Sequence, residues 1–307
     1  MRIRVFRPGR RRGGCTAVMA VFALSVGTVV TGLAVTAEPA SASLAGAVLA
    51  APVTSNYDSV QSKTATVTCP AGTTVVGPGG DIFNGGGKVA LEQLLPDVSA
   101  GTVQVTAKET DAKAGDWSVT ARSVCAPAPA GLVRVGVTSV SNSSNKAVTV
   151  NCPTNKTALG IGYDVFNGWG EVLVNQVVPN GGPGLASTSV TISAYEDDAY
   201  AASWQLKGYL VCADPIAGQQ VIRGTVLSTS AGPAAVNATC PTGQTATGGS
   251  ASIAPVTSGM EGEYAVDSVP PFDLTAGTSV PDNVQAIAYQ EDPYPDSWWL
   301  TSQVLCT

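Results

Sequence analysis

Acidic side chains recur in three loops of the sequence, where they could ligate a metal ion. The acids of these loops are, in chain order, Glu109, Asp111, Glu196, Asp197, Asp198, Glu291 and Asp292. Clustered carboxylate oxygens are the ligands that calcium prefers in proteins. Asp111, Asp198 and Asp292, which hold matching positions, are therefore candidate calcium ligands. The alternative is a structural turn, in which each aspartate accepts backbone N–H bonds and fixes the loop.

Aromatic residues flank two of the acidic loops. Tyr195 and Tyr200 flank the second loop, Tyr289 and Tyr294 flank the third, and lysines occupy the matching positions around the first. Rings beside carboxylates suit sugars, because the C–H face of a sugar stacks on a ring while its hydroxyl groups bond to acids. These tyrosines are therefore candidate ligand-binding residues at the tips of predicted hairpins.

Two tryptophans extend this candidate sugar-binding surface. Trp169 lies in the glycine-rich turn Asn167–Gly170, and Trp299 follows a tryptophan that the strand pattern turns toward the core. The alternative for all six aromatic residues is packing against neighbouring parts of the protein.

The sequence contains no histidine. This excludes Ser-His-Asp and Cys-His catalysis and zinc sites with histidine ligands. For an enzyme, the best remaining chemistry is a carboxylate pair, as in a glycoside hydrolase, which uses two carboxylates about 5 to 10 Å apart. Acids that recur in three loops are more simply structural than catalytic. We therefore predict a protein that is not an enzyme and binds no cofactor.

Charge restricts the partners of the protein. Residues 43–307 contain ten basic and 21 acidic side chains, a net charge of −11. Nucleic acids and anionic membranes are bound mainly through clustered basic side chains, which release counterions from phosphates. The composition therefore predicts neither a nucleic acid nor an anionic membrane surface as a partner.

The first 42 residues have the pattern of a secretory signal peptide. Basic residues between Arg2 and Arg12 precede an apolar run that reaches Ala37, and the small residues Ala40 and Ala42 provide a cleavage site. An uncleaved anchor is the alternative, since the run is nearly long enough to span a bilayer. The arginines leave general and twin-arginine export both open. We predict a secreted, extracellular product with no membrane span after signal removal.

Three repeats follow, each opening with Cys-Pro and closing with a single cysteine. An even number of cysteines in an exported protein favours disulfides over metal or redox chemistry. The repeat pattern predicts one disulfide within each repeat. Trp117, Trp204 and Trp298 each stand eight residues before the closing cysteine, so tryptophan and cysteine share one strand face and point into a core. The cysteine pairs predicted in this way are Cys69 with Cys125, Cys152 with Cys212, and Cys240 with Cys306.

The repeats have the period-2 alternation of β-strands and no helical pattern longer than one turn. We therefore predict an all-β protein with a signal peptide at 1–42 and β repeats at 43–130, 131–217 and 218–307. Asn84-Gly85 and Asn167-Gly168 are typical of tight turns with positive φ. Two architectures fit this organisation: three tandem antiparallel β-sandwich-like repeats, or a single prism in which three sheets share a core.

The repeat motifs also carry a resemblance. The Cys69-Pro-Ala-Gly72 element and the Trp117-x-Val-x-Ala121 strand that ends at Ala126 are similar to repeats of exported actinobacterial proteins of unassigned function. This resemblance covers most of residues 50–307 and implies an exported repeat architecture without a reaction. A remoter resemblance, to vitelline membrane outer layer protein, rests on three β repeats with a Cys-Pro-x-Gly element and implies a β-prism.

Two classes of function follow from these patterns. The first is a secreted binding module for a glycan or cell-envelope polymer, which gains avidity from repeated hairpin-tip loops. The second is a structural or passive extracellular protein that has no small ligand. A glycoside hydrolase that uses a carboxylate pair is the minor alternative.

Overall fold

The structure is a computed structural model that describes residues 43–307 apart from 199, 230–231, 257–258, 275–279 and 292–294. The predicted signal peptide lies outside the described residues. All described residues belong to one compact unit, Pro39–Thr307. The unit is built of strands, with one short 3₁₀ helix at Glu261–Glu263.

The strands follow the three predicted repeats. The first repeat contains β1 (Val48–Leu49), β2 (Val53–Thr54), β3 (Ser62–Thr68), β4 (Thr74–Phe83), β5 (Val89–Asp97), β6 (Thr102–Glu109) and β7 (Ser118–Ala126). The second contains β8 (Val133–Thr138), β9 (Lys146–Asn151), β10 (Thr157–Phe166), β11 (Val172–Pro179), β12 (Ser189–Glu196) and β13 (Gln205–Ala213). The third contains β14 (Gln220–Ser228), β15 (Ala234–Thr239), β16 (Ala246–Pro255), β17 (Tyr264–Ser268), β18 (Pro271–Phe272), β19 (Asn283–Gln290) and β20 (Trp298–Cys306).

Each repeat divides its strands between two antiparallel sheets. Sheet A combines repeats 1 and 3 in the order β1-β7-β4-β17-β19-β15, with β2 and β18 at its sides. Sheet B combines repeats 1 and 2 in the order β3-β6-β5-β10-β13-β8, and sheet C combines repeats 2 and 3 in the order β14-β20-β16-β11-β12-β9. At the seams between repeats Asp81 pairs with Ser268, Asp164 with Gln93, and Ser252 with Gln176.

The all-β class and the three disulfide-bearing repeats are confirmed. Each repeat is a sandwich-like wedge of two half-sheets, as the first predicted architecture has it. The wedges are not separate domains, however, because the half-sheets of neighbouring repeats pair at the seams. The structure therefore has the closed three-sheet arrangement of the second architecture. Alternation along a strand shows which face is buried but not which strand is the partner.

One prediction about connections is wrong. The acidic loops join β6 to β7 and β12 to β13, and these strands belong to different sheets and do not pair. The acidic loops are therefore crossovers at the corners of the prism rather than hairpin tips. The Asn-Gly turns have the predicted positive φ, 61° at Asn84 and 64° at Asn167, but they too lead from one sheet to the next.

The disulfides close the corners of the prism. Cys69 bonds to Cys125, Cys152 to Cys212 and Cys240 to Cys306, as predicted, with Cα–Cα distances of 5.7 to 5.8 Å. In each pair the first cysteine follows a strand of one sheet and the second lies in a strand of another. Each bond therefore ties together two sheets. Loops of this length correspond to about 4 kcal/mol per bond in the chain-entropy account of disulfide stabilisation.

The three tryptophans are core residues, as predicted, and each is fully buried. The indole N–H of Trp117 donates to Glu109 at 2.9 Å, and that of Trp204 donates to Glu196 at 2.8 Å. A lysine ammonium lies over each of these rings, Lys63 over Trp117 and Lys146 over Trp204. Two of the recurring acids therefore satisfy the buried tryptophans, because an indole N–H out of water requires an acceptor.

Three glycines meet where the three sheets converge. Gly77, Gly160 and Gly248 each follow a β-bulge in the second long strand of their repeat. A Cβ on Gly77 would lie 3.1 Å from the Cα of Gly248, one on Gly160 2.8 Å from that of Gly77, and one on Gly248 2.9 Å from that of Gly160. Because the contacts run in a cycle between backbones, only glycine fits at all three positions.

We predict that Gly160→Ala destabilises the protein by about 3 kcal/mol or more, because the added Cβ meets backbone atoms that cannot rotate away. Gly182→Ala is the matched control, since the nearest atom to its added Cβ is a guanidinium nitrogen of Arg223 at 3.9 Å. Urea unfolding of the oxidised proteins measures both. Equal stability of the two variants would contradict the close approach of the three backbones.

A buried polar side chain stands at the bulge next to each seam. Glu92, Asn175 and Asp267 hold equivalent places, and all three are buried. Glu92 accepts the N–H of Gly170 at 2.6 Å, and the amide of Asn175 donates to a carbonyl of the next repeat. The Oδ1 atom of Asp267 has no hydrogen-bond partner among the described residues. Burial, followed by the nearby charge of Asp81, raises the pKa of Asp267 well above its ordinary value.

We predict that Asp267→Asn stabilises the protein increasingly as the pH rises above the ordinary pKa of an aspartate, about 4. The folded state holds the Asp267 proton more tightly than the unfolded chain, so the parent loses stability as the pH rises above the unfolded pKa. The asparagine does not titrate and lacks this loss. Unfolding midpoints across this pH range measure the gap between parent and variant. A gap that does not change with pH would show that Asp267 titrates normally.

Candidate functional site

The outer face of sheet B carries a hydrogen-bonded row of polar side chains. The Thr64 and Thr106 hydroxyls lie 2.9 Å apart, Thr106 donates to Gln93 at 3.2 Å, and Gln93 donates to Asp164 at 3.1 Å. Asp164 in turn forms an ion pair with Lys207 at 3.5 Å. The row crosses five strands and the seam between repeats 1 and 2. It presents fixed donors and acceptors at the protein surface.

A groove of about 220 Å³ lies beside this row, and two aromatic rings border it. Phe166 is 48% exposed and Trp169 is 64% exposed. The Lys108 ammonium lies 4.6 Å from the centre of the Trp169 ring, and the Lys207 ammonium lies 4.7 Å from that of Phe166. Each of these cation–π contacts favours the observed position of its ring. The site therefore combines held aromatic surfaces with ordered hydrogen-bonding groups.

Trp169 occupies a strained backbone position. Its φ is +57°, in the left-handed region that bulky residues rarely adopt. The equivalent residue of repeat 1 is Gly86, whose φ is +67°, so the same turn forms there with the residue type that fits it. The strain at Trp169 costs about 1 to 2 kcal/mol. A largely exposed side chain offsets little of this cost through packing, which is typical of a residue kept for function.

Glu92 supports the turn from below. One oxygen accepts the N–H of Gly170 at 2.6 Å, and the other forms an ion pair with Lys108 at 2.7 Å. Burial raises the pKa of Glu92, while the hydrogen bond and charge of Lys108 act in the opposite direction. Glu92 therefore positions both the backbone that carries Trp169 and the ammonium over its ring.

A third ring lies farther along the same face. Tyr209 on β13 is partly buried, and the guanidinium of Arg134 lies 5.2 Å from the centre of its ring. Arg134 also donates to the carbonyl of Pro96 at 2.7 Å, across the seam between the repeats. The polar row therefore has aromatic surfaces on both sides, which suits an elongated ligand better than a compact one.

The structure separates the tyrosines that the sequence grouped together. Tyr195 lies on β12 in sheet C and Tyr289 on β19 in sheet A, and each is half-buried. The equivalent residue in sheet B is Lys108. Burial, then the charge of Glu261, raises the pKa of Tyr195, and burial, then Asp267, raises that of Tyr289. Residues at one repeat position therefore face three directions and do not form a common platform.

The other two predicted tyrosines are Tyr200 and Tyr294. The Tyr200 hydroxyl donates to the carbonyl of Asn167 at 2.8 Å, so Tyr200 braces the turn that bears Trp169. Burial, with the charges of nearby carboxylates, raises the pKa of Tyr200. Tyr294 lies outside the described residues.

The candidate calcium ligands lie in separate loops of separate repeats. Asp111 is exposed and forms an ion pair with Lys88 at 2.7 Å, and Asp198 is exposed. Asp292 lies outside the described residues. In the part of the chain that the structure describes, no three acidic, histidine or cysteine side chains come close enough to hold a metal ion.

The acid before Asp292 has a structural bond instead. Glu291 is buried, accepts from Thr110 at 2.9 Å and pairs with Lys88 at 3.1 Å, which joins repeats 1 and 3. Burial raises the pKa of Glu291 despite these two partners.

Phe166 is the aromatic residue of the groove that the sequence patterns did not indicate. It lies at an outward position in the last four residues of β10, where buried and outward side chains alternate, immediately before an Asn-Gly turn. A large aromatic residue at an outward position was the signal that could have identified it. Of the predicted residues, Trp169 lies in this groove, whereas Trp299 lies on sheet C.

A larger opening, of about 570 Å³, lies at the Cys-Pro end of repeat 3. Its walls include Cys240–Thr245 and residues on either side of 275–279, which the structure does not describe. Its described walls contain no aromatic side chain. The groove on sheet B is therefore the better-formed candidate.

No protein-family model matches the chain, and no curated protein sequence matches it. Among the residues that the structure describes, no helix has the length and apolar character needed to cross a membrane.

We predict that Trp169→Gly gives a protein about 1 kcal/mol more stable than Trp169→Ala, because both remove the indole but only glycine relieves the strain at positive φ. Chemical unfolding of the two variants measures the difference. The comparison of Gly86→Ala with the parent protein tests the same turn in repeat 1. Alanine at this position should lower the free energy of unfolding by a similar amount. Equal stabilities of Trp169→Gly and Trp169→Ala, together with equal stabilities of Gly86→Ala and the parent, would contradict backbone strain at this turn position.

Proposed function

We propose that this is a secreted, non-catalytic carbohydrate-binding protein whose groove on sheet B binds a segment of a neutral polysaccharide. The observation that carries the proposal is Trp169, an exposed indole held at a strained backbone position beside exposed Phe166 and the polar row. Sugar rings stack on aromatic faces while their hydroxyl groups need donors and acceptors at fixed spacing. The groove offers both kinds of contact on one rigid sheet.

Preorganisation supports binding at this face. The side chains of the row already bond to one another, and Glu92 and Tyr200 fix the turn that carries Trp169. A ligand therefore orders few groups when it binds, and the entropic cost of association is lower than on a flexible loop. Sites built on strands in this way are more precisely positioned than sites on loops.

Charge favours a neutral ligand over a polyanion. Nine of the ten basic side chains in residues 43–307 contact acids, amides or carbonyls of the protein itself. These are Lys63, Lys88, Lys108, Arg122, Arg134, Lys146, Lys156, Lys207 and Arg223. A polyanion would have to break such pairs and approach a protein with a net charge of −11.

Binding is favoured over hydrolysis by the roles of the acids in the groove. Glu92 is buried and holds Lys108 and the Gly170 amide, and Asp164 holds Gln93 and Lys207. A hydrolase requires one carboxyl group free to protonate the leaving oxygen and another to act on the sugar. Both carboxylates instead keep structural bonds.

The proposed location rests on two features. The pattern of residues 1–42 is that of an export signal, and three disulfides persist in oxidising compartments. Polysaccharides of cell envelopes lie in such compartments. A passive structural role remains the competing proposal, and it requires that substitutions in the groove leave every interaction of the protein unchanged.

We predict that oxidised protein 43–307 is retained on insoluble cellulose or chitin, and that Trp169→Ala with Phe166→Ala weakens retention at least tenfold, or about 1.4 kcal/mol. Pull-down at a series of polymer concentrations measures the affinity. Leu185→Ala, which removes an exposed apolar side chain from a turn in repeat 2, is the matched control and should bind like the parent.

A further double variant, Tyr195→Ala with Tyr289→Ala, tests the loops that the sequence first indicated, and it should also bind like the parent. Retention of the parent on none of the polymers would contradict the proposal. Undiminished retention of the Trp169 and Phe166 variant would place binding elsewhere.

A further inference from the structure

An exposed aromatic ring occurs at one equivalent position on each of the three sheets. On sheet A, Phe83 pairs across the strands with Ser118, and on sheet B, Phe166 pairs with Gln205. On sheet C the same pair is Ala254 with Trp299, so that the ring comes from the partner strand. Phe83 is 64% exposed and Trp299 is 43% exposed.

In repeat 3 the exposed ring comes from the neighbouring strand and not from the residue equivalent to Phe83 and Phe166. Had the ring only been inherited, it would stand at Ala254, the equivalent of Phe83 and Phe166. Instead Ala254 leaves room and Trp299, directly across from it, supplies the aromatic surface. Single exposed apolar residues need no explanation, but the same cross-strand location carries a ring on all three sheets.

The ring on sheet A belongs to an ordered pair. Tyr57 is 54% exposed, and its ring centre lies 5.8 Å from that of Phe83 with the planes tilted by 49°. The side chain of Asn84 donates to the Tyr57 hydroxyl at 3.2 Å and to the carbonyl of Asp116 at 2.7 Å. The pair therefore has a fixed geometry and a polar group at its edge, as Trp169 and Phe166 have on sheet B.

The ring on sheet C lies between two side chains of neighbouring strands. Trp299 stands opposite Ala254 on one side and opposite Leu227, which is similarly exposed, on the other. Two residues farther along the same strands, the hydroxyls of Thr225 and Thr301 lie 3.1 Å apart. An apolar strip with hydroxyl groups at its side again results.

We infer that the protein has three carbohydrate-contact faces, one on each sheet, and that it bridges separate polysaccharide chains. This inference rests on the proposed function and adds two sites, Tyr57 with Phe83 and Trp299 with Leu227, for the same neutral polymer. Two or three side chains bury a few hundred Å² at most, whereas a stable protein interface buries about 1,200 Å² or more. The small size of these patches favours a ligand that stacks one or two rings over a second copy of the chain.

Bridging follows from the arrangement of the sheets. Their inner faces share one core, so their outer faces point in three directions. A straight polymer chain that lies along one face cannot reach the others. The protein therefore gains little avidity from a single chain and instead joins up to three.

The test compares binding with agglutination on the polymer that retains the parent protein. A one-face variant, Phe83→Ser with Trp299→Ser, keeps the groove of sheet B. A matched two-face variant, Phe166→Ser with Trp169→Gly, keeps sheets A and C. Pull-down measures retention, and the turbidity of a suspension of fine polymer particles measures bridging. Unfolding midpoints check that both variants fold, and sedimentation of the free proteins gives their mass.

We expect the parent to agglutinate the particles. The one-face variant should be retained but should need at least about tenfold more protein to agglutinate them. The two-face variant should be retained weakly and should still agglutinate them. Complete loss of retention in the two-face variant would overturn the three-face inference while leaving the single site of the proposed function intact.

Agglutination by the one-face variant at the parent concentration would also overturn the inference. The same holds for a parent dimer that Phe83→Ser converts to a monomer, because that result would assign the face of sheet A to a second copy. Retention of the parent on no polymer would overturn the proposed function and the three-face inference together.

Discussion

The close approach of three backbones at Gly77, Gly160 and Gly248 is the constraint on which the architecture depends. Where the strands meet, no side chain separates them, so the three sheets can lean against one another and enclose one core. The rest of the design follows from this closure. Each repeat must contribute strands to two sheets. The disulfides lie where those two sheets separate, at the corners of the prism.

Closure also determines where polar groups are buried. A bulge at each seam turns one side chain inward toward the neighbouring repeat. The three side chains at these bulges differ in the partners that they find there. Glu92 reaches both a lysine and a backbone amide, whereas the shorter Asp267 leaves an oxygen without a partner and remains close to Asp81. At two of the three seams the buried side chain is a carboxyl group with a raised pKa, so the stability of these seams depends on pH.

The sequence was sufficient to predict the strands, the cysteine pairs and the buried tryptophans, because these depend on spacing and alternation within one repeat. It could not predict that β6 and β7 lie in different sheets, since an alternating strand buries the same face whichever neighbour it pairs with. For the same reason, the sequence could not predict which residues of the candidate site lie on one face. Tyr195 and Tyr289 match in sequence, but a three-fold arrangement sends matching residues to different faces, whereas Phe166 and Trp169 converge on one groove.

Departures from the repeat identify function better than the features that all repeats share. The acids Glu109 and Glu196 recur because each buried indole needs an acceptor, and recurrence there reflects folding. Trp169 differs: its counterpart Gly86 adopts the same positive φ without strain, so the fold does not require a tryptophan. A residue that the fold tolerates at a cost, and that remains largely exposed, supports the proposed contact with a ligand. The face of sheet B therefore supports the proposed function better than the acidic corners do.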